Sequence, residues 1–179
     1  MFKRPLFFAL LVCFGFTGFA YAQDTAQRTA DLLAKLDKTK YKKKDKGNFS
    51  MEVYVDVRNE AVVRQDRSEY SGTYQADGYR LELTVDSSGN ASGSGFDSMI
   101  DRSGQSNFTL RGARVEGALL TATKVYSSGE SVPFEAVFAT RTTKAGTNPE
   151  VVKTTVNQSG LGFIQSTSNS TNRVFLDKH

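Results

Sequence analysis

Tryptophan is missing from this chain of 179 residues, which has one histidine and one cysteine. The histidine is His179, the last residue, and chain ends are where disorder concentrates. A Ser-His-Asp triad, a Cys-His pair and a His-based zinc site all need an interior histidine, so those chemistries lack a component. The cysteine is Cys13, between Val12 and further apolar residues. A lipoprotein signal would instead end its apolar stretch with a small residue and then cysteine, so Cys13 reads as passive. With the N-terminal stretch removed, no thiol would remain for a disulfide, a nucleophile or a metal site, and the core alone would hold the domain. No phosphate-binding loop, dinucleotide fingerprint or EF-hand spacing occurs. After the N-terminus no apolar run approaches the ~20 residues of a membrane span.

What is present begins with an address. Lys3 and Arg4 precede an apolar stretch from Leu6 to Phe19, and Ala20-Tyr21-Ala22 supplies an A-x-A cleavage pattern before polar Gln23 and Asp24. This predicts a secretory signal over residues 1–22, cleaved after Ala22, and a secreted or periplasmic product. The formal charge of +4 includes Lys3 and Arg4, so cleavage would leave about +2. That balance makes no demand for nucleic acid.

Residues 24–41 read as a helix. Asp24 is placed to cap it, with Gln27 three residues on, and Ala26, Ala30, Leu33 and Ala34 recur at helical spacing beside Leu36. The run Lys38–Lys46, KTKYKKKDK, reads as a solvated last helical turn and linker. The sharper alternative is a contact with an anionic envelope surface, phospholipid or polysaccharide. The chain thus divides into the signal, a helix with basic linker over 23–47, and a β domain over 48–179.

From Asn48 the period becomes two. Phe49, Met51, Val53, Val55 and Val57 alternate with polar residues, which predicts a strand with one apolar and one wet face. Tyr79, Leu81, Leu83 and Val85 alternate likewise, and Ser87–Asn90 turns the chain into a small-residue partner, Ala91–Gly95. Its glycines would admit a bulge or a close neighbour. Leu119–Tyr126 and the alternation Val132, Phe134, Ala136, Phe138 form a second hairpin about Ser127–Glu130. Shorter strands are predicted at Glu69–Tyr74, Asn107–Arg111, Val151–Val156, Leu161–Gln165 and Arg173–Leu176, punctuated by Gly112, Gly117, Gly146, Pro149 and Gly160. Gly104–Ser106 and Ser166–Asn172 read as surface loops. The fold class is mainly β: one antiparallel barrel or strongly curled sheet of about eight strands, with the helix covering an open side or end.

Few groups suggest chemistry. Glu116, Glu130 and Glu135 are candidate acids only as any carboxylates are, and Glu135, between Phe134 and Ala136, reads as a wet strand position. Asp97, Asp101 and Ser103 offer oxygens for a calcium ion without EF-hand order, and no metal or cofactor is assigned. The glycines of Asn90–Phe96 follow a strand and lead into no helix, so they read as turn and strand rather than a phosphate cradle. Five N-x-[ST] sequons, at Asn48, Asn90, Asn107, Asn157 and Asn169, read as incidental beside a bacterial-looking signal. Of 13 Phe and 7 Tyr, most Phe fit the core. Tyr54, Tyr74, Tyr79 and Tyr126 are the candidate ligand-binding residues, since an apolar ring with a polar tip suits a barrel mouth or cavity.

Residues 70–95, YSGTYQADGYRLELTVDSSGNASGSG, resemble the opening of calycin barrels of the avidin and lipocalin type. Gly72-Thr73-Tyr74 matches their Gly-x-aromatic opening strand, followed by a long alternating strand, a tight turn and a glycine-bearing return. The resemblance implies a ligand-holding barrel. Tyr74 stands where tryptophan is expected, so biotin binding is not implied. The long strand after a helix is also similar to periplasmic lipoprotein carriers, whose half-barrel holds acyl chains. The leading expectation is a non-enzymatic barrel that takes a small or apolar ligand. A cell-envelope structural or interaction module with a filled core is the first alternative. An enzyme using carboxylates or a Ser-Lys pair is the second.

Overall fold

Leu32 and Leu36, one helical turn apart, are the side chains that helix α1 (24–36) buries. In the computed structural model, which describes residues 24–46, 49–98, 107–166 and 170–179, they pack on Leu119 and Val137 of a sheet and on Ala118 in the turn before Leu119. Gln27 reaches forward to Asp31 at 2.8 Å rather than back to the helix start. Arg28 pairs with Asp24 at 3.5 Å and also with Glu135, which pins the helix to the sheet.

The helix ends five residues before the predicted Tyr41, and Lys38–Lys46 is strand β1, not a helical turn or linker. Two causes act together. As a helix, Lys38 and Lys42, and Lys40 and Lys44, would stand as like charges one turn apart. Asp37 instead accepts hydrogen bonds from the Asn59 backbone N–H (2.8 Å) and side-chain amide (3.0 Å), which swings the chain against strand β2 (Phe49–Ala61).

Eight further strands follow: β3 (Gly72–Ala76), β4 (Tyr79–Val85), β5 (Asn90–Asp97), β6 (Asn107–Glu116), β7 (Leu119–Tyr126), β8 (Ser131–Asn148), β9 (Val151–Ser166) and β10 (Thr171–Lys178). The sheet order is β1-β2-β8-β7-β6-β5-β4-β3-β10-β9, and β9 pairs back onto β8. Strands β3 to β10 therefore form a closed eight-stranded antiparallel barrel, and β1 and β2 are extra. Strand β8 is long enough, at 18 residues, to serve twice. Its first half pairs with β7, and its second half leaves the barrel to pair with β2 on the same edge. With the first half of β9 it carries a four-stranded wing, ordered β1-β2-β8-β9, beyond the barrel end.

Several local expectations are corrected. Glu69–Tyr74 is a 3-10 turn at Arg67–Tyr70 followed by β3, because the Asp66 carboxylate caps the Ser68 N–H at 2.9 Å. The predicted strands Val151–Val156 and Leu161–Gln165 are one strand, β9, with Gly160 inside it. A Cβ at Gly160 would strike the Leu176 carbonyl, so this glycine permits close strand approach instead of ending a strand. Thr171 and Asn172, read as loop, begin β10. Strand β2 alternates as predicted, but Met51 and Val53 on its apolar side are 50% and 39% exposed, since none of the described residues is layered over the wing there. The signal, Cys13, Asp101, Ser103, Gly104–Ser106 and the sequons at Asn48 and Asn169 lie outside the described residues.

The barrel is filled. Leu81, Leu83, Val115, Leu120, Leu161 and Leu176 are almost wholly buried inside it. The inward positions of β5 are Ala91, Gly93, Gly95 and Asp97, small enough for Leu81, Leu110 and the Phe108 ring to cross them. One end is plugged by the 3-10 turn. The Tyr70 ring stacks on Phe138, 4.1 Å between centroids, and its hydroxyl stands within hydrogen-bond distance of the carbonyls of Val62 (2.8 Å) and Gly117 (2.9 Å), which share its single hydrogen. Asp97, the β7–β8 turn and the end of β9 surround the other end.

Candidate functional site

Three of the four polar or charged residues buried among the described ones, Asp97, Lys124 and Gln165, meet at that second end. Each occupies the inward parity of its strand: Asp97 after Gly95 on β5, Lys124 after Ala122 on β7, Gln165 after Phe163 on β9. The Asp97 Oδ2 accepts from the Gln165 side-chain amide at 2.8 Å and from the Tyr126 hydroxyl at 3.2 Å. Lys124 Nζ stands 3.7 Å from the same oxygen, longer than a hydrogen bond.

Four rings surround that ammonium. Its nitrogen lies 4.4 Å from the centroid of Phe134, 4.7 Å from Tyr79, 4.9 Å from Phe163 and 5.0 Å from Phe108. Ring faces attract a cation, more strongly where water is excluded. Burial nevertheless pulls the lysine down to about 8, against the opposing pull of Asp97. The Tyr79 and Tyr126 hydroxyls are pushed up, first by burial and then by Asp97, and remain donors at neutral pH. Among the described residues, the buried Tyr79 hydroxyl and Gln165 Oε1 have no hydrogen-bond partner.

The cluster is reached from the side. The β8–β9 ladder stops at Ala136 and Phe163, and the residues beyond, toward Ser131 and Ser166, are not paired with one another. A cavity of about 470 Å3 fills this opening. Lys124, Tyr126, Gln165 and Glu130 supply its polar lining, and Val132, Pro133, Phe134, Phe163 and Ile164 its apolar wall. Its size falls within the range of small-molecule sites. A larger hollow of about 610 Å3 lies over exposed residues such as Arg80, Glu82 and Phe96 and holds no buried charge.

Comparisons with protein families, with curated proteins and with solved structures find no match to this chain. The site must therefore speak through its own geometry. An ammonium carries three hydrogens, so beside an apolar wall it can hold a ligand oxygen in addition to pairing with Asp97. Ser166 lines the same cavity, but no hydrogen bond joins it to Lys124 as a Ser-Lys nucleophile would need. Among the described residues no group of three His, Cys, Asp or Glu side chains could hold a metal, and no helix is long and apolar enough to cross a membrane.

The four tyrosines separate. Tyr79 and Tyr126 belong to the cluster. Tyr74 is buried near the plugged end, its hydroxyl donating to the Tyr70 carbonyl at 2.5 Å. Tyr54 lies on the wing, opposite Tyr41. Lys124 and Gln165 were missed, and Asp97 was singled out only as an oxygen donor for a calcium ion, not as the partner of a buried lysine. Alternation alone carried the signal, since each shares parity with apolar or small residues, but a single charged residue at such a position looks like a strand end.

Proposed function

We propose that this protein is a secreted or periplasmic, non-enzymatic β-barrel domain that binds a small amphipathic molecule at the lateral opening beside Lys124. One observation carries the reading: the Lys124 ammonium sits in a ring of four aromatic side chains and lines a cavity of about 470 Å3. The filled interior keeps the ligand at the mouth. Asp97 already balances Lys124, and Glu130 adds negative charge at the rim, so the ligand's head is an uncharged oxygen such as a carbonyl or hydroxyl. Its apolar body lies along Val132, Phe134 and Phe163. The signal pattern of residues 1–22 supports the compartment, and the calycin resemblance adds only an analogy of fold.

Native mass spectrometry of protein from its secretory compartment tests this. The expected result is a mass excess that vanishes on denaturation and is missing from Val132→Trp, which fills the cavity and leaves the ion pair intact. A bare wild-type protein, or an equal excess in both, overturns the reading.

A second surface is favoured by a separate observation. The run Lys38–Lys46 forms the outermost strand of the sheet, with Lys38, Lys40, Lys42, Lys43 and Lys44 exposed. This supports contact with an anionic component of the cell envelope.

A further inference from the structure

The pairing of β1 with β2 sorts its lysines. Lys38, Lys40, Lys42 and Lys44 stand opposite Val57, Val55, Val53 and Met51. Directly opposed residues share a face, so four lysines and four apolar side chains lie side by side. The face continues through Ala145 and Thr143 of β8 to Val156 of β9, which is 44% exposed.

The acids go elsewhere. Glu52 and Asp56 alternate onto the opposite face, where Glu52 meets Lys43 at 3.5 Å and Asp56 meets Arg58 at 3.2 Å. None of Lys38, Lys40, Lys42 and Lys44 forms an ion pair among the described residues. One side of the wing is thus charge-balanced, and the other carries uncompensated positive charge around exposed Met51 and Val53.

We infer that this face docks on an anionic phospholipid bilayer, its lysines at the headgroups and Met51 and Val53 entering the interface. The inference rests on the reading that Lys38–Lys46 contacts the envelope, and it names the partner. Uncompensated lysines select an anionic surface. The aliphatic side chains between them select lipid over a soluble polyanion, which offers nothing for an apolar group to enter. Lysine stems can lie along apolar surface while their heads stay in water, so the two kinds of side chain act together.

The chain has no tryptophan, so Val53→Trp would be a reporter without background. The purified protein is mixed with vesicles of phosphatidylcholine, alone or with phosphatidylglycerol. We expect co-sedimentation only with phosphatidylglycerol, weakening as salt rises, and a blue shift of the Val53→Trp emission on binding. Each of Lys40→Gln, Lys42→Gln and Lys44→Gln should weaken partitioning by roughly fivefold. Met51→Ser/Val53→Ser should weaken it as well, with an unchanged circular dichroism spectrum, because these residues lie outside the barrel core.

Binding lost with the lysines but unaffected by Met51→Ser/Val53→Ser, without a blue shift, overturns bilayer docking and leaves the envelope contact standing. Failure to bind vesicles, with retention on immobilised polyphosphate, has the same meaning. Failure on both overturns inference and contact together. Self-association abolished by Met51→Ser/Val53→Ser would assign the face to a second copy and overturn the lipid proposal.

Discussion

Lys124 and Asp97 hold opposite charges 3.7 Å apart inside a barrel filled mainly with hydrocarbon and aromatic rings. Each makes the other tolerable. Removing one leaves the remaining charge without compensation, typically at a cost of about 3–5 kcal/mol. Lys124→Met should therefore destabilise the protein by about that amount in urea at neutral pH. The double variant Lys124→Met/Asp97→Leu should recover most of the loss, because apolar replacement of a whole buried pair is often neutral. A double variant as unstable as the single one would show that the two charges are not coupled.

The same lysine gives stability a pH dependence of definite sign. Its value in the folded protein is about 8, below the ordinary 10.5. Between these values the unfolded chain binds more protons than the folded one. Stability from this group therefore rises as pH climbs from about 8 to 10.5, by at most about 1.4 kcal/mol per pH unit. The difference between wild type and Lys124→Met across this window, measured by urea denaturation, isolates the effect. A flat difference would contradict it.

At the plugged end, the Tyr70 hydroxyl also accepts from the Arg64 backbone N–H at 2.8 Å, so it serves three backbone groups. Tyr70→Phe keeps the stack on Phe138 and leaves those groups without their partner. A loss of about 1–3 kcal/mol is expected, with near-ultraviolet circular dichroism little changed. A neutral Tyr70→Phe would mean that water satisfies these groups equally well.

Gly95 faces the barrel interior, where a Cβ would collide with the Arg80 carbonyl and stand 2.5 Å from the Phe108 Cζ. Gly95→Ala should lower stability by about 1–3 kcal/mol, as overpacking of a filled core does. It should also displace Phe108, one wall of the Lys124 ring cage, so the lysine titration followed by NMR should shift. An unshifted titration would separate the glycine from the site.

How far the sequence could be read depended on whether a signal was local. The alternation of Tyr79, Leu81, Leu83 and Val85 matches the inward face of β4 because that strand lies wholly within the barrel. The alternation of Met51, Val53, Val55 and Val57 is as regular, yet on that one face Met51 and Val53 are exposed while Val55 and Val57 are half-buried. Period two reports that a strand has two unlike faces, and only tertiary packing decides whether anything covers the apolar one. Tyr79 and Tyr126 reached the candidate site and Tyr54 and Tyr74 did not, because a tyrosine's preference for mouths is common to all four. Which strand end becomes a mouth is set by closure.

By itself, the sequence determined the mainly β class, the presence of an N-terminal helix, and the small-residue strand that gives large side chains room. These follow from side-chain volume and from periods spanning a few residues. The helix buries Leu32 and Leu36, while the expected stripe of Ala26, Ala30 and Ala34 is exposed and Leu33 only half-buried. The tertiary structure alone decided that Lys38–Lys46 is an edge strand, that β8 divides between barrel and wing, and that Lys124, Asp97 and Gln165 converge. Those outcomes depend on which distant strands pair and where a ladder ends. That choice is made by competition among all the strands for backbone partners, and no single segment carries it.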